Sequence, residues 1–301
     1  MAKFEMAKRA EFDDPSTLRR YLAKQLGRGR LALVLGAGIS TAFKLPGWKE
    51  LLERLYALRG KKPPKDADLK QQADYFRVTY FKHDKNGFIE AVKEALYQGV
   101  SVNFEDLRRN ATLGAVGSLV MASQRGNVSE VITFNWDNLL ELYLEYHGFV
   151  TLSATEERQW GGRADVSILH PHGFIPYGAG EKSSGDIIFD QTSYGDVIGK
   201  EEKPWRQKLL TIMRSHTCLF IGLSGTDDNL VSLLQTCKSQ HASRIENTLF
   251  WGVTFTTSNS SAQASLWEEK GVYSKKISNY HTELPEILFG ICQEAAQLRR
   301  A

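Results

Sequence analysis

Residues 31 to 40, Leu-Ala-Leu-Val-Leu-Gly-Ala-Gly-Ile-Ser, constrain this chain more than any other stretch. Five apolar residues in a row, with no polar face, read as a strand buried on both sides, which demands cover above and below. Gly36 and Gly38 then break the run ahead of a helical pattern. That outline is a phosphate loop: glycines let the backbone turn tightly and approach a pyrophosphate, and amides at the following helix start face its charge. Ordinary strand ends use the same letters, so other segments have to decide between the two readings.

Asp14-Pro15 supplies a cap and a first-turn proline for a helix through Leu18, Tyr21, Leu22 and Leu26 that ends near Gly27. After the first strand, Leu45-Pro46-Gly47-Trp48 makes a turn, and Leu51, Leu52, Leu55 and Tyr56 recur at helical spacing. Trp48 reads as a core anchor. Gly60 to Lys65 cannot continue a helix. Helical periodicity over 67–81, 87–98 and 103–124, with no strand among them, predicts a helical insertion over about 61–125. Arg108 and Arg109 lie on its solvated face or in an oligomer contact.

Strand patterns resume at Ser129 to Phe134, which runs into Asn135-Trp136-Asp137 and a helix closed by Gly148. Short strands are expected at Phe149 to Leu152, Val166 to Leu169 and Asp186 to Phe189, then a helix from Pro204. Thr217 to Ile221 is the next buried strand, ending in Gly222-Leu223-Ser224-Gly225-Thr226-Asp227 before a helix near Asp228. Leu249 to Val253 and Val272 to Ile277 read as strands around a helix near 261–270, and a last helix spans Leu284 to Leu298. Strands alternating with helices predict an α/β fold: one Rossmann-like, doubly wound, mostly parallel sheet over 1–301, with polar or glycine loops at its C-terminal edge.

A length of 301 residues suffices for one substantial core without disulfide or metal. The balance of 38 basic against 35 acidic residues is too even to imply a nucleic-acid partner. Cys218, Cys237 and Cys292 are scattered and odd in number, which predicts reduced thiols; without a CxxC pair, a four-cysteine zinc site is excluded. No stretch approaches the roughly 20 apolar residues of a membrane span. A cytoplasmic protein without a membrane partner is the expectation.

The dinucleotide fingerprint of hydride-transferring enzymes is half met, because the third glycine is replaced in Gly36-Ala37-Gly38-Ile39-Ser40-Thr41 and no acid ends a following strand. Asn135 and Asp137 are candidates for chemistry or for helix capping, and Ser224 and Asp227 for ribose contacts or capping. His172 competes with His170 for an acid–base role.

In order and spacing, Gly36-Ala37-Gly38-Ile39-Ser40, Thr133-Phe134-Asn135-Trp136-Asp137 and His170-Pro171-His172-Gly173 resemble the NAD-binding loop, the Thr-x-Asn-x-Asp segment and the His-Gly of sirtuins. Leu219 to Asp227 resembles the ribose loop of the bacterial sirtuin-like branch. Leu45-Pro46-Gly47-Trp48 and Ile187-Ile188-Phe189 followed by Tyr194 are similar to other segments of that branch. The resemblance spans roughly 30 to 280. The zinc ribbon of protein-deacylating sirtuins and their Gly-x-Pro-Asp-Phe-Arg loop are missing, so no metal is expected and an acyl-peptide groove is in doubt.

What the resemblance implies is an NAD-hydrolysing effector of anti-phage defence. Asn135, His172 and Asp137 would be catalytic, while Gly36, Ala37, Gly38, Ser40, Thr41, Thr133, Gly222, Ser224 and Asp227 would bind NAD as substrate. Nicotinamide leaves NAD as a neutral base, so the protein need only place water, stabilise an oxocarbenium-like ribose and exclude solvent. The reference pKa of about 6.5 suits His172 to accept a proton near neutrality, and His-Gly selects it over His170. Such an enzyme needs restraint. The short chain leaves little room for a sensor, so the analogy implies homo-oligomerisation and a separate partner, such as a HerA-type ring ATPase or a short Argonaute. The alternatives are a non-hydrolytic NAD or ADP-ribose sensor and a zinc-free deacylase or ADP-ribosyltransferase.

Overall fold

The structure is a computed structural model that describes residues 7–121, 128–178, 182–225, 227–241, 249–257 and 261–298. Seven strands form one parallel sheet: β1 (Leu31–Leu35), β2 (Val128–Thr133), β3 (Thr151–Ala154), β4 (Val166–Leu169), β5 (Thr217–Ile221), β6 (Gly252–Thr256) and β7 (Val272–Lys276). Their order is β3-β4-β2-β1-β5-β6-β7, with every neighbouring pair parallel. The chain leaves β1 toward β2 on one side and returns to β5 on the other, so the order reverses at β1. Open sheets of this kind take their ligands in the crevice at such a reversal.

Every β1 residue is buried, and its period of two divides the core. Leu31, Leu33 and Leu35 join one cluster, while Ala32 and Val34 join the other. Helix α1 (Pro15–Gly27) covers the first face. It starts where the Asp14 carboxylate accepts from the Thr17 amide at 2.8 Å. α2 (Trp48–Leu58), α3 (Leu69–Phe81) and α4 (Lys85–Tyr97) follow as a separate helical lobe, α5 (Phe104–Arg109) and α6 (Ala111–Met121) return the chain to the sheet, and α7 (Leu139–Tyr146) follows β2. α8 (Pro204–Ser215), α9 (Asp228–His241) and α10 (Ser261–Glu268) lie beyond, and α11 (Glu283–Leu298) ends the described chain. Among the described residues, no helix is long and apolar enough to cross a membrane.

The insertion differs in extent from the predicted 61–125. The lobe core draws on Leu51, Leu52, Leu55 and Tyr56 of α2, so the lobe begins before residue 61. α6 lies outside it, because Leu113, Val116, Leu119 and Val120 pack on the face of β1 that carries Leu31 and Leu33. α6 is therefore the crossover helix between β1 and β2. The single helix expected over 103–124 is split at Asn110, whose side chain accepts from the Leu113 amide at 2.8 Å.

Residues 186–189 form no ladder, against the strand predicted there. They run extended between two cores, with Ile187 and Phe189 in the lobe and Ile188 in the sheet core. That alternation mimics a strand pattern. The predicted 249–253 strand breaks at Trp251: Leu249–Phe250 pairs antiparallel with Ala7–Lys8, and β6 starts at Gly252. The strand expected at 149–152 lies two residues later, in β3.

Candidate functional site

The loops after β1, β2, β4 and β5 meet at the C-terminal edge of the sheet. The first is not a helix start. Gly36 leads into two short 3₁₀ turns, Ala37–Ile39 and Thr41–Phe43, and α2 begins only at Trp48. Its first amides are spent inside the protein: Gly36 N donates to Ile221 O at 2.9 Å, Gly38 N to Gly222 O at 3.0 Å and Ser40 N to Ala37 O at 3.0 Å. Among the described residues, the exposed Ala37, Thr41 and Ala42 keep amides without a partner. These three are the groups the loop offers to an anion.

The glycines serve loop-to-loop contact. A Cβ on Gly38 would lie 2.5 Å from the Gly222 Cα, and one on Gly36 would lie 2.7 Å from the Gly222 carbonyl oxygen. Gly222 itself sits at φ +74, in the left-handed region that glycine tolerates. The β1 and β5 loops therefore touch backbone to backbone, and Gly222 acts as a spacer between them.

Asn135 follows β2 and is held at four points. Its backbone N donates to Thr133 Oγ1 at 3.1 Å, and its carbonyl meets His170 Nδ1 at 3.1 Å. Its amide Nδ2 donates to Gly36 O at 3.2 Å and to Ser40 Oγ at 3.3 Å. Only Oδ1 remains, so the side chain offers an acceptor and not the donor–acceptor pair its chemistry allows. The capping alternative for Asn135 fails, because α7 takes Asn138 at its N-cap. Thr133 Oγ1 accepts from the Asn135 backbone N, which leaves its hydroxyl hydrogen to donate.

Asp137 lies behind this layer. Its Oδ2 accepts from Ser40 Oγ at 2.9 Å and its Oδ1 from the Leu139 amide at 3.2 Å. Each carboxylate oxygen accepts one hydrogen bond, so Asp137 orients Ser40 and the start of α7. Burial outweighs those hydrogen bonds and raises its pKa to about 6.

His172 is 9% exposed and packs its ring on Phe134, with centroids 4.7 Å apart at 65°. Its loop is pinned from both sides, since the Trp136 indole N–H donates to the His172 carbonyl at 3.0 Å and Ile188 N donates to it at 2.8 Å. One ring nitrogen faces the Phe134 carbonyl, which can only accept, so that nitrogen carries the proton. The other, Nε2, is buried without a partner. Burial pushes the His172 pKa down to about 4, against an opposing pull from Asp227, so the imidazole is neutral at pH 7.

His172 also lines a cleft of about 540 Å³ with Ile188, Trp205, Glu156, Asp186 and Lys203. Asn135 and the β1 loop do not line it. Asn135 and His172 thus do not share this cleft, and the Phe134 ring packs against His172.

The β5 loop brings Ser224 and Asp227 to the same edge of the sheet. Ser224 is exposed, and its carbonyl accepts from Gln263 Nε2 at 3.3 Å. The Asp227 carboxylate caps α9 by accepting from Leu230 N at 3.1 Å, while its charge reaches His172. Thr226 lies outside the described residues. Sequence reasoning missed Glu141, whose Oε1 is 2.6 Å from His170 Nε2, and Trp136 as the clamp on His172. Glu141 sits at an apolar-face position of α7, and an acid there is the signal that was available. Trp48 bridges lobe and site, its ring 5.0 Å from Phe189 and 6.2 Å from Trp136. Among the described residues, no group of three His, Cys, Asp or Glu side chains is arranged to hold a metal ion.

Comparison with known proteins agrees with this topology. Residues 129–274 match the family model described as a SIR2-like domain. Defense-associated sirtuin 2 of Bacillus subtilis is 25% identical over 210 residues, which cover 68% of this chain and 19% of that protein. The chain thus aligns with about a fifth of that relative's length. A structure solved in work on the mechanism and regulation of Sir2 enzymes superposes with a TM-score of 0.50 at 16% identity, covering 94% of this chain and 98% of the other. Residues 129–274 are thus similar to a SIR2-like domain, and the seven-stranded, Rossmann-like sheet has the Sir2 fold.

Proposed function

We propose that this domain hydrolyses NAD at the nicotinamide–ribose bond, giving nicotinamide and ADP-ribose, as an effector in anti-phage defence. The single observation that carries the reading is the buried, unpartnered Nε2 of His172. A lone pair taken out of water without a donor costs about 1–3 kcal/mol unless a ligand supplies the donor. A ribose hydroxyl or a bound water is a donor of that kind. Asn135 Oδ1, at the mouth of the β1 loop, is the second acceptor, and the Ala37, Thr41 and Ala42 amides suit a pyrophosphate.

In this reading the C1′–N bond of NAD breaks, nicotinamide leaves with the bonding pair, and water adds to C1′. His172 Nε2 takes the proton that the water or a ribose hydroxyl gives up. Asn135 Oδ1 accepts from a second ribose hydroxyl on the adjacent surface, and Ser40, backed by Asp137, holds the Asn135 amide in place. The Bacillus relative's name supplies the link to defence. The family analogy adds a homo-oligomer and a separate partner, of HerA or short-Argonaute type, which light scattering and co-purification test.

The test is nicotinamide release from NAD by the purified protein, alone and with such a partner. Wild type is expected to consume NAD without an acceptor, and Asn135→Ala and His172→Ala to lose at least about 10²-fold. Equal turnover by both variants would refute the site. The cleft beside His172 favours a second reading, in which NAD is spent on removing an acyl group from a protein or on transferring ADP-ribose to one. That reading predicts NAD loss only when an acylated or ADP-ribose-accepting protein is added.

A further inference from the structure

We infer that His170 and Glu141 are a positioning pair that fixes the backbone of Asn135 and thereby aims its one free acceptor. The inference rests on the reading of Asn135 given above and extends it to two residues outside the crevice.

His170 is fully buried, at 0% exposure, and Glu141 is 2% exposed. The His170 ring stands edge-on to Phe174 at 4.8 Å, which fixes its plane. Nδ1 faces the Asn135 carbonyl, which only accepts, so Nδ1 carries a hydrogen and donates. Nε2 and Glu141 Oε1, 2.6 Å apart, share a further proton, and Ser153 Oγ donates to the same oxygen at 3.1 Å. A continuous line of hydrogen bonds thus runs from β3 through α7 and the end of β4 to Asn135, two residues past β2.

Buried pairs of this kind contribute little net stability, because desolvation offsets their attraction. Apolar side chains would fill the same space without that cost. What the pair supplies is direction, since it locks the imidazole tautomer and ring orientation, as an outer partner does for a metal-bound histidine. The line ends on the backbone of the residue whose side chain is otherwise held by Gly36 and Ser40. Rotation of that peptide would swing Oδ1 away from its aim. A displacement of about 1 Å at a reacting group costs about 10²-fold in rate.

Two substitutions at one position separate positioning from bulk stability. In His170→Asn the amide nitrogen takes the place of Nδ1 and keeps the bond to Asn135. In His170→Gln it takes the place of Nε2, keeps Glu141 and loses Asn135. His170→Asn leaves the buried Glu141 carboxylate without its histidine partner and should lower the melting temperature more than His170→Gln does, so loss of stability and loss of positioning predict opposite orders of activity. Expected nicotinamide release is within about 5-fold of wild type for His170→Asn, and down about 10²-fold in kcat with KM little changed for His170→Gln. Glu141→Gln, which still bonds Nε2, should keep activity, and Glu141→Ala should fall with His170→Gln.

Asn and Gln variants falling together in proportion to lost stability would overturn the pair's role, as would full kcat in His170→Gln. Should wild type release no nicotinamide, the NAD reading fails by itself. The Asn135 side-chain amide resonance, assigned by its loss in Asn135→Asp, then decides the positioning. It should move in His170→Gln and Glu141→Ala and stay in His170→Asn. An unmoved resonance in all three would end the inference.

Discussion

Replacing Asp137 with asparagine separates two opposed titrations that meet at this site. Asp137 has a pKa raised from 3.8 to about 6, because its carboxylate is buried. An acid raised on folding contributes stability that is present below its unfolded pKa and is lost as pH climbs through the folded one. The span of about 2 units corresponds to about 3 kcal/mol, gained between pH 6 and pH 3.8 on acidification. His172 has a pKa lowered from 6.5 to about 4 by the same burial. Its stability contribution is present above pH 6.5 and lost as pH falls to 4, again by about 3 kcal/mol.

In wild type the two contributions offset between pH 4 and 6.5. Asp137→Asn removes one of them. Its stability should therefore fall relative to wild type by about 2–3 kcal/mol between pH 7 and pH 4. At pH 7 the variant should match wild type or exceed it, because a buried carboxylate no longer has to stay charged. Urea denaturation followed by tryptophan fluorescence at half-unit pH steps reads this difference, and shared titrations elsewhere cancel in the comparison. Curves that run parallel from pH 7 to pH 4 would refute the buried-carboxylate argument. A variant that gained on wild type in acid would reverse its sign.

The acid limb of NAD turnover should lie below about pH 5, because the His172 pKa of about 4 leaves it unprotonated above that; a limb near 6.5 would mean the ring is solvated. Gly38→Ala places a methyl 2.5 Å from the Gly222 Cα and should destabilise by about 1–3 kcal/mol while lowering NAD affinity, read by thermal shift and calorimetry. Trp136→Phe removes the indole donor to the His172 carbonyl and should cost about 1 kcal/mol in urea melts with a measurable drop in kcat. Arg77→Met strips its partner from Asp190, whose carboxylate is fully buried, and should cost up to about 3 kcal/mol, released when Asp190→Asn is added.

The sheet was legible because its strands are continuous apolar runs. Leu31 to Leu35 and Thr217 to Ile221 have no polar residue that allows a solvated face. Capping chemistry placed α1 to within a residue. Packing partners were not legible: α6 looked like the helices before it, although its apolar residues run all round and mark burial on two sides. Residues 186–189 alternate between two cores, a pattern that one-dimensional periodicity cannot tell from a strand.

At the site, motif spacing singled out Asn135 and His172 as candidates, and the loops that carry them meet. The direction of each hydrogen bond lay beyond the sequence. It ties Asp137 to Ser40 and the start of α7, spends the glycine amides on the end of β5 and its loop, and leaves one acceptor on Asn135. The His170–Glu141 contact joins residues 29 apart in sequence, and only the fold brings them within 2.6 Å.

The account stands most directly on the free lone pair of His172. Nitrogen-15 spectra of histidine-labelled Asn135→Ala protein, which should bind NAD without turning it over, observe it directly. The account predicts a neutral ring at pH 6 with an unprotonated Nε2 whose resonance moves when NAD is added. A protonated ring at that pH, or a resonance unmoved by saturating NAD, would contradict it.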